Sequence, residues 1–543
     1  RDFYYSNYTE PALLIRIIDI LLPHYEDRSD TESLLFLYIC AGFSYMELSR
    51  TGEPTSRDKT IYFYTKVLSY RDQIEFFESA ASRDYIFIAY YNLIRVAPGL
   101  GILDIETAYR LWEELCQIRT MPKFCQYDTT NPRIPQLCDR AINDFRAYGA
   151  VLNVERVIAP SAILSSLENM TQVYYAEILH EHGSIYECPV FTVFNYHYVQ
   201  ARNGTITWEA AWQILDDYYV HKMQTIGQVS SPDLLAFYTN LPLNLIDVLG
   251  HTHFKEEFKQ ATYRRYRNLI TSYLMNQPAS LNSYTLNNGV QLVAFHPLIL
   301  GTFQNRMEKM NFIVDLVVTR HLTTFTHSVM VSYLAEAIGK HILAARPELL
   351  RIPSSYLEGN VYASPAEVLD YIVPAALFHD IGKNGMIPII NTQHRKLNDY
   401  EFNIIQTHPQ KGSDYLSSDP DFLIYQPVAL GHHRSYDGTR GYPLSFDNTA
   451  SPYRDAIDLI HICDCLDAAT DYLSRNYHRA KPFDVVLNEL KAGRGTEYNP
   501  DMVDVILSDR ELYNDLKMLT EQNRENIYYD IYLTFVNLRK KRQ

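Results

Sequence analysis

The sequence predicts an all-α protein in two helical halves, and three observations carry that reading. Apolar residues recur at helical spacing, helix-start signals stand directly before several of those stripes, and the residues that carry chemistry fall on helices or at their ends. In the first half Ile163, Leu167, Met170 and Tyr174 share a face, and their helix runs out at His182 before Gly183. Thr207 precedes Trp208, Trp212, Leu215 and Tyr219, a second single-face stripe. Ser231-Pro232-Asp233 offers a hydroxyl cap followed by proline at the first helical position. In the second half Ser364-Pro365-Ala366-Glu367 is a capping box. The helix it opens puts Val368, Ile372, Ala375 and His379 on one face. Asn398 with Glu401 caps a further helix, expected to end with His408 just before Pro409.

A chain of 543 residues is too long for one ordinary core, so two or three domains are expected. Residues 1–285 read as consecutive helices, a regulatory or interaction domain through which a protein partner would bind. Helices paired at spacings of about 35 to 45 residues would suit an α-solenoid of the tetratricopeptide kind, although no repeat consensus is legible. The polar, turn-rich stretch 278–292 marks the boundary, with 286–314 a connecting helical segment and 315–543 the second domain. The 44 tyrosines, many in the first half, are read as interhelical packing with the hydroxyl near water rather than as a ligand groove.

An apolar content of 47% and a charged content of 21% are those of a soluble globular protein. The net charge of −15 argues against a nucleic-acid polymer as partner, because that role needs a basic patch. A small anionic nucleotide remains compatible, held locally by metals and a few cationic side chains. Seven scattered cysteines read as free thiols in a reducing compartment, and Cys463 and Cys465, which flank Asp464, as structural. The longest apolar runs fall short of the roughly 18 residues of a membrane span. The chain begins at Arg1 rather than methionine, so an upstream anchor or sensor is compatible with it.

Chemistry concentrates between His379 and Pro443. His379 and Asp380 are adjacent, Lys383 follows, and His408 and the pair His432/His433 come next, with His327 upstream and Asp464 downstream. Imidazole with carboxylate suits borderline transition metals, and this set exceeds what one tetrahedral ion can use. His327 continues the stripe of Val331, Leu334 and Ile338, while Asp464 and Asp467 continue that of Ile457 and Ile460. An unpaired buried carboxylate costs several kcal/mol, a conflict that a cation removes. A single inward histidine is ordinarily a hydrogen-bonded core residue. The ordered set H, HD, H, HH, D is what points instead to a two-metal phosphoesterase site.

His327, the HDIGK of 379–383, Ile387-Pro388, the THPQKG around His408, HHRSYDGTRGYP at 432–443 and CDCLDAAT at 463–470 together resemble the HD-GYP family of HD phosphohydrolases. The resemblance covers a little over a third of the chain, about residues 315–510. It implies an all-helical domain that hydrolyses a cyclic dinucleotide, above all cyclic di-GMP, with two divalent ions, iron or manganese. By position, His327, His379, Asp380 and Asp464 would hold the first ion, and Asp380 would bridge to a second bound by His408, His432 and His433. Lys383 would bind a phosphate oxygen. Asp437, Gly438, Gly441, Tyr442 and Pro443 would shape a loop over the substrate, and Arg475 or Arg479 would reach the second phosphate. The resemblance further implies a cytoplasmic bacterial signalling protein and leaves a homodimer open.

Two departures bear on this. Arg434 stands where many members carry glutamate after the histidine pair. Thr323 stands where three-metal members carry a glutamate, so two metals are expected. The rival readings are an HD hydrolase of another nucleotide phosphoester, a non-catalytic cyclic-dinucleotide receptor, and a scaffold whose principal function lies in residues 1–285.

Overall fold

The computed structural model describes residues 10–53, 55–76, 80–121, 133–151, 161–225, 231–277, 284–318, 320–354, 362–386, 397–473 and 480–540. Among them the chain is helical throughout. Extended pairing is limited to three isolated bridges, Pro353–Tyr362, Arg434–Gly441 and Arg494–Tyr498. Two compact units divide between Tyr266 and Arg267. No described helix is long and apolar enough to cross a membrane.

In the first unit, helices near in sequence pack on one another. Thr31–Ser49 lies against both Pro11–Arg28 and Ser56–Leu68, Arg133–Tyr148 against Ser161–His182, and Val190–Arg202 against Trp208–Met223. Thr31–Ser49 is apolar all round, the pattern of a helix enclosed by others, and nearly every position from Leu34 to Leu48 is buried. Its start is fixed by Asp30, which accepts from the Ser33 N–H. Thr207 caps Trp208–Met223 in the same way, through the Ala210 N–H. The Ser161–His182 helix stops where expected, with Gly183 at φ 71°. The tyrosines do pack between helices, but many hydroxyls lie away from water. Tyr90 donates to Glu114 at 2.8 Å, Tyr218 donates to the Cys188 carbonyl at 2.8 Å, and Tyr64 accepts from Asn92 at 2.9 Å. A buried hydroxyl needs such a partner, and a tyrosine long enough to cross a helix interface finds it on the far side.

The second unit is built on helix Leu322–Ala345, which carries His327 and packs against Pro365–Phe378 and Arg454–Thr470. Val331, Leu334 and Ile338 are buried beneath His327 as the stripe requires. The capping box at Ser364 is formed, with the Glu367 carboxylate returning to the Ser364 N–H at 2.7 Å. That helix ends at Phe378 and leaves His379 as its C-terminal cap residue. Asn398 and Glu401 form a second box, but the helix they open, Asp399–Ile405, stops short of His408. His408 instead opens the next helix, His408–Leu416. Proline is accepted in a first turn and resisted further in, so Pro409 makes the chain restart rather than continue.

The chain closes with a π-helical turn at Met518–Gln522 and the helix Arg524–Lys540. Ile527, Tyr528 and Ile531 of that helix pack on Met330, with Phe325 and Val329, along the His327 helix. Cys463 is a buried free thiol, and Cys465 is half-buried.

Candidate metal centre

Each predicted ligand sits at or near a helix end or on a buried helical face, and all seven converge. Asp380, His408, His432 and His433 form one group and His327, His379 and Asp464 another, the ligand atoms within each lying no more than 4.8 Å apart. Asp380 faces both groups. Its Oδ1 lies 3.1 Å from His408 Nε2 and 3.6 Å from His432 Nε2, while its Oδ2 lies 3.5 Å from the Nε2 atoms of both His327 and His379. Asp464 adds a second crosslink, 3.0 Å from His327 Nε2 and 3.6 Å from His433 Nδ1.

The outer nitrogens explain why the inner ones point inward. His379 Nδ1 donates to the Ala376 carbonyl at 2.6 Å, His408 Nδ1 to that of Ile405 at 2.6 Å, and His432 Nδ1 to that of Ala429 at 3.0 Å. A carbonyl only accepts, so each of these rings carries its proton on Nδ1 and turns a bare or titratable Nε2 into the centre. His327 differs, since its Nδ1 lies 2.6 Å from the carboxylate of Asp467.

Burial pushes His379, His432 and His433 below the ordinary imidazole range, and takes His408 down to about 4. Burial would raise Asp380 and Asp464, but cationic neighbours outweigh it and hold both well below the usual carboxylate range, Lys383 foremost at Asp380 and His327 at Asp464. Burial likewise opposes charge on His327, yet Asp464 and Asp467 prevail and raise it to about 9. Ionised carboxylates beside the neutral imidazoles of His379, His408, His432 and His433 are a donor set for cations, and a cation held at His327 would displace the proton that Asp464 and Asp467 favour there. The Nε2 atoms of His379 and His433 are buried without a hydrogen bond. Native proteins rarely leave such groups unmatched, and divalent ions would match both. The residues fit a bimetallic site.

Residues 324–476 match the HD domain family. This stretch is an HD domain. Among the curated relatives, a cyclic di-GMP phosphodiesterase of Vibrio cholerae is 26% identical over 303 residues, half of this chain and 60% of the relative. The cyclic di-GMP phosphodiesterase response regulator RpfG of Xanthomonas campestris is 33% identical over 146 residues, 26% of this chain and 37% of the relative. A 3′3′-cGAMP-specific phosphodiesterase 2 of Vibrio cholerae is 25% identical over 203 residues, 37% of each chain. The chain thus spans 60% of the first of these relatives and little more than a third of the other two.

Around the HD ligands, Lys383 Nζ lies 2.5 Å from Asp380 Oδ2, one turn along. The loop after His433 is fastened to the ligands themselves. Gly441, at φ 87°, lies so close to the His433 carbonyl oxygen that any Cβ there would overlap it, and Tyr442 N donates to that same carbonyl at 3.4 Å. The Tyr442 ring lies 4.5 Å from the His433 ring, and Pro443 follows across a cis peptide bond. Asp437 accepts from Ser435 Oγ and from the Thr439 N–H and hydroxyl, contacts that pull it down to about 2 and commit it to the turn at Gly438. Arg475, Arg479 and the Ile387-Pro388 pair lie outside the described residues.

Arg434 takes no part in the ligand set. It is 5% exposed, and its guanidinium donates to the carbonyls of Gly441, at 3.3 Å, and Gly438, closing the loop from within. Arg434→Met leaves two carbonyls unpaired, and a loss of about 1–3 kcal/mol is expected. Thermal unfolding beside Arg440→Met checks it, since Arg440 is exposed and pairs with Glu497 at the surface. Equal midpoints for the two variants would show that the inward guanidinium does not hold the loop.

Three residues that support the HD ligands were not assigned a role from the sequence. Asp467 was visible as an acidic continuation of the Asp464 stripe. His461 Nδ1 donates to the His432 carbonyl at 2.6 Å, and its place on the inner face of the Asp464 helix was the available signal. Arg524, which pairs with Asp467 at 2.8 Å, gave no signal at all.

Proposed function

We propose that the protein is a metal-dependent phosphodiesterase that opens a cyclic dinucleotide, cyclic di-GMP foremost, to a linear dinucleotide or to mononucleotides. The observation that carries this reading is Asp380, one carboxylate whose two oxygens face two separate histidine groups. The names of the relatives, cyclic di-GMP phosphodiesterases and 3′3′-cGAMP-specific phosphodiesterases, support the substrate class.

His327, His379 and Asp464 would hold one ion, His408, His432 and His433 the other, and Asp380 both. Iron or manganese suits the imidazole–carboxylate set, and Thr323 in place of a glutamate supports two ions rather than three. Bound there, the pair supplies an acidified water and screens charge that grows on the phosphate. The chain's own residues do the rest. Lys383, whose Nζ lies 2.5 Å from Asp380 Oδ2, would be free to meet a non-bridging phosphate oxygen when cations hold that carboxylate. Tyr442 and Pro443, held over His433 by the Gly441 contact, form one wall beside the reacting phosphate. Water adds to phosphorus, the P–O3′ bond breaks, and the 3′ oxygen leaves with a proton.

Residues 1–285 are proposed as the regulatory half, a tetratricopeptide-like module for a protein partner in the bacterial cytoplasm. Packing of helices that are near in sequence supports that reading. The net charge of −15 speaks for a small anionic substrate rather than a nucleic-acid polymer.

Anaerobic turnover with Fe(II) or Mn(II) tests the activity, with cyclic di-GMP and 3′3′-cGAMP offered separately and products resolved by chromatography. Linear product is expected, with cyclic di-GMP the faster. Two ions bound per folded chain and no cleavage of either substrate would sink the proposal and favour a receptor or another phosphoester.

A further inference from the structure

His327 depends on a part of the chain that lies outside the HD match. The three ligands His379, His408 and His432 are oriented by carbonyls three residues earlier in their own backbone, a local device. His327 is oriented by Asp467 from another helix, and Asp467 is held in turn by Arg524 from a third. Both Asp467 and Arg524 are fully buried.

A buried guanidinium is tolerated only when its charge and its N–H groups are met. Here they are. Nη1 lies 2.8 Å from Asp467 Oδ1 and 3.6 Å from Asp471, and donates to the Tyr528 hydroxyl at 3.4 Å. Nη2 donates to Thr470 Oγ1 at 2.8 Å and Nε to the Thr520 carbonyl at 2.9 Å. The other oxygen of Asp467, Oδ2, lies 2.6 Å from His327 Nδ1. One carboxylate is therefore gripped on one side and grips the imidazole on the other. The helix that supplies Arg524 is seated on the His327 helix through Ile527, Tyr528 and Ile531, so guanidinium and imidazole are registered by the same packing.

We propose that Arg524 is a positioning residue for the subsite of His327, His379 and Asp464, setting metal affinity there through Asp467 without touching the metal. The inference rests on the two-metal reading and deepens it: the C-terminal helix completes a site whose ligands all lie earlier in the chain. It also makes the two subsites unequal. The group of Asp380, His408, His432 and His433 has no such tie to the C-terminal helix among the described residues.

The experiment is Mn(II) titration of the full chain by calorimetry, with metal content measured after gel filtration and folding followed by circular dichroism. Arg524→Met is expected to bind one of its two ions about 10- to 100-fold more weakly, the range found for outer partners of metal-bound histidines, and the other as the parent does. Arg524→Lys, which keeps the charge but not the planar fork, should recover part of the loss. If Arg524→Met does not fold, the paired change Asp467→Asn/Arg524→Gln removes both buried charges and keeps hydrogen-bonding groups. The same selective weakening is then expected. Two ions held as tightly as in the parent, or both weakened alike, would overturn the inference while leaving the two-metal reading in place. A parent protein that takes up no Mn(II) would sink that reading and the inference with it.

Discussion

Asp380→Asn is expected to remove cyclic-dinucleotide turnover by a factor on the order of 10³ or more, and to take bound metal from two ions per chain to one or none. The reason is geometric. Asp380 is 1% exposed, and its two oxygens are divided between the histidine groups. An amide keeps the shape but presents an NH₂ where one cation would sit and halves the anionic character of the site, leaving Asp464 as its remaining carboxylate. The change is larger than loss of an outer partner such as Asp467, because it acts on both subsites at once. Metal content and turnover should fall together while the thermal midpoint of metal-free protein changes little by comparison, since the amide side chain still fills the space. His433→Ala is the control. His433 is the most open of the seven and meets a carboxylate only at 3.6 Å, so its alanine variant should retain one ion and measurable activity. Asp380→Asn with two tightly held ions would show that the bridging reading is mistaken.

How much of this was legible in the sequence depends on how local each cause is. The two capping boxes at Ser364 and Asn398 are four-residue events, and the structure forms both. The HD ligands announce themselves because metal binding demands particular atoms in a particular order, and no packing alternative produces that order by chance. His408 shows the limit of local reading. Its neighbour Pro409 was seen as a stop signal, yet proline also starts helices, and here it does the second. Arg434 looked like a cation replacing an acid at the site. Its side chain instead turns into the loop, because the carbonyls of Gly438 and Gly441 face it there. Arg524 lies furthest from legibility. An arginine near a chain end reads as solvated, and only the packing of Ile527, Tyr528 and Ile531 on the His327 helix carries it to Asp467. Pairings set by tertiary register leave no trace at fixed spacing.

Gly382→Ala is expected to lower turnover about 10²-fold, although Gly382 binds nothing. It lies in the tight turn Ile381–Met386 directly after Asp380, where the backbone of helix His408–Leu416 presses against it. A Cβ at Gly382 would overlap the His408 carbonyl oxygen and lie 2.6 Å from the Gly412 nitrogen. Both are backbone atoms within one turn of a helix, so no rotamer change relieves the clash and the helix itself must move. His408 rides on that helix, and Asp380 is two residues from the new methyl. The 3.1 Å approach between them is therefore what the displacement opens. Alanine also restricts the unfolded chain, an effect worth up to about 1 kcal/mol in favour of folding, so a net loss of stability is steric in origin. That loss should be about 1–3 kcal/mol, as for other overpacked sites. Gly385→Ala separates this from a general intolerance of the turn. Its Cβ would meet Lys411 Cε and the Tyr415 hydroxyl at 3.0 Å, and the lysine end can give way. Turnover, metal content and thermal midpoints of the two variants decide the matter. Of these two glycines, Gly382 is the one that faces backbone, and equal behaviour of the pair would show that the contact with the His408 helix does not set the site.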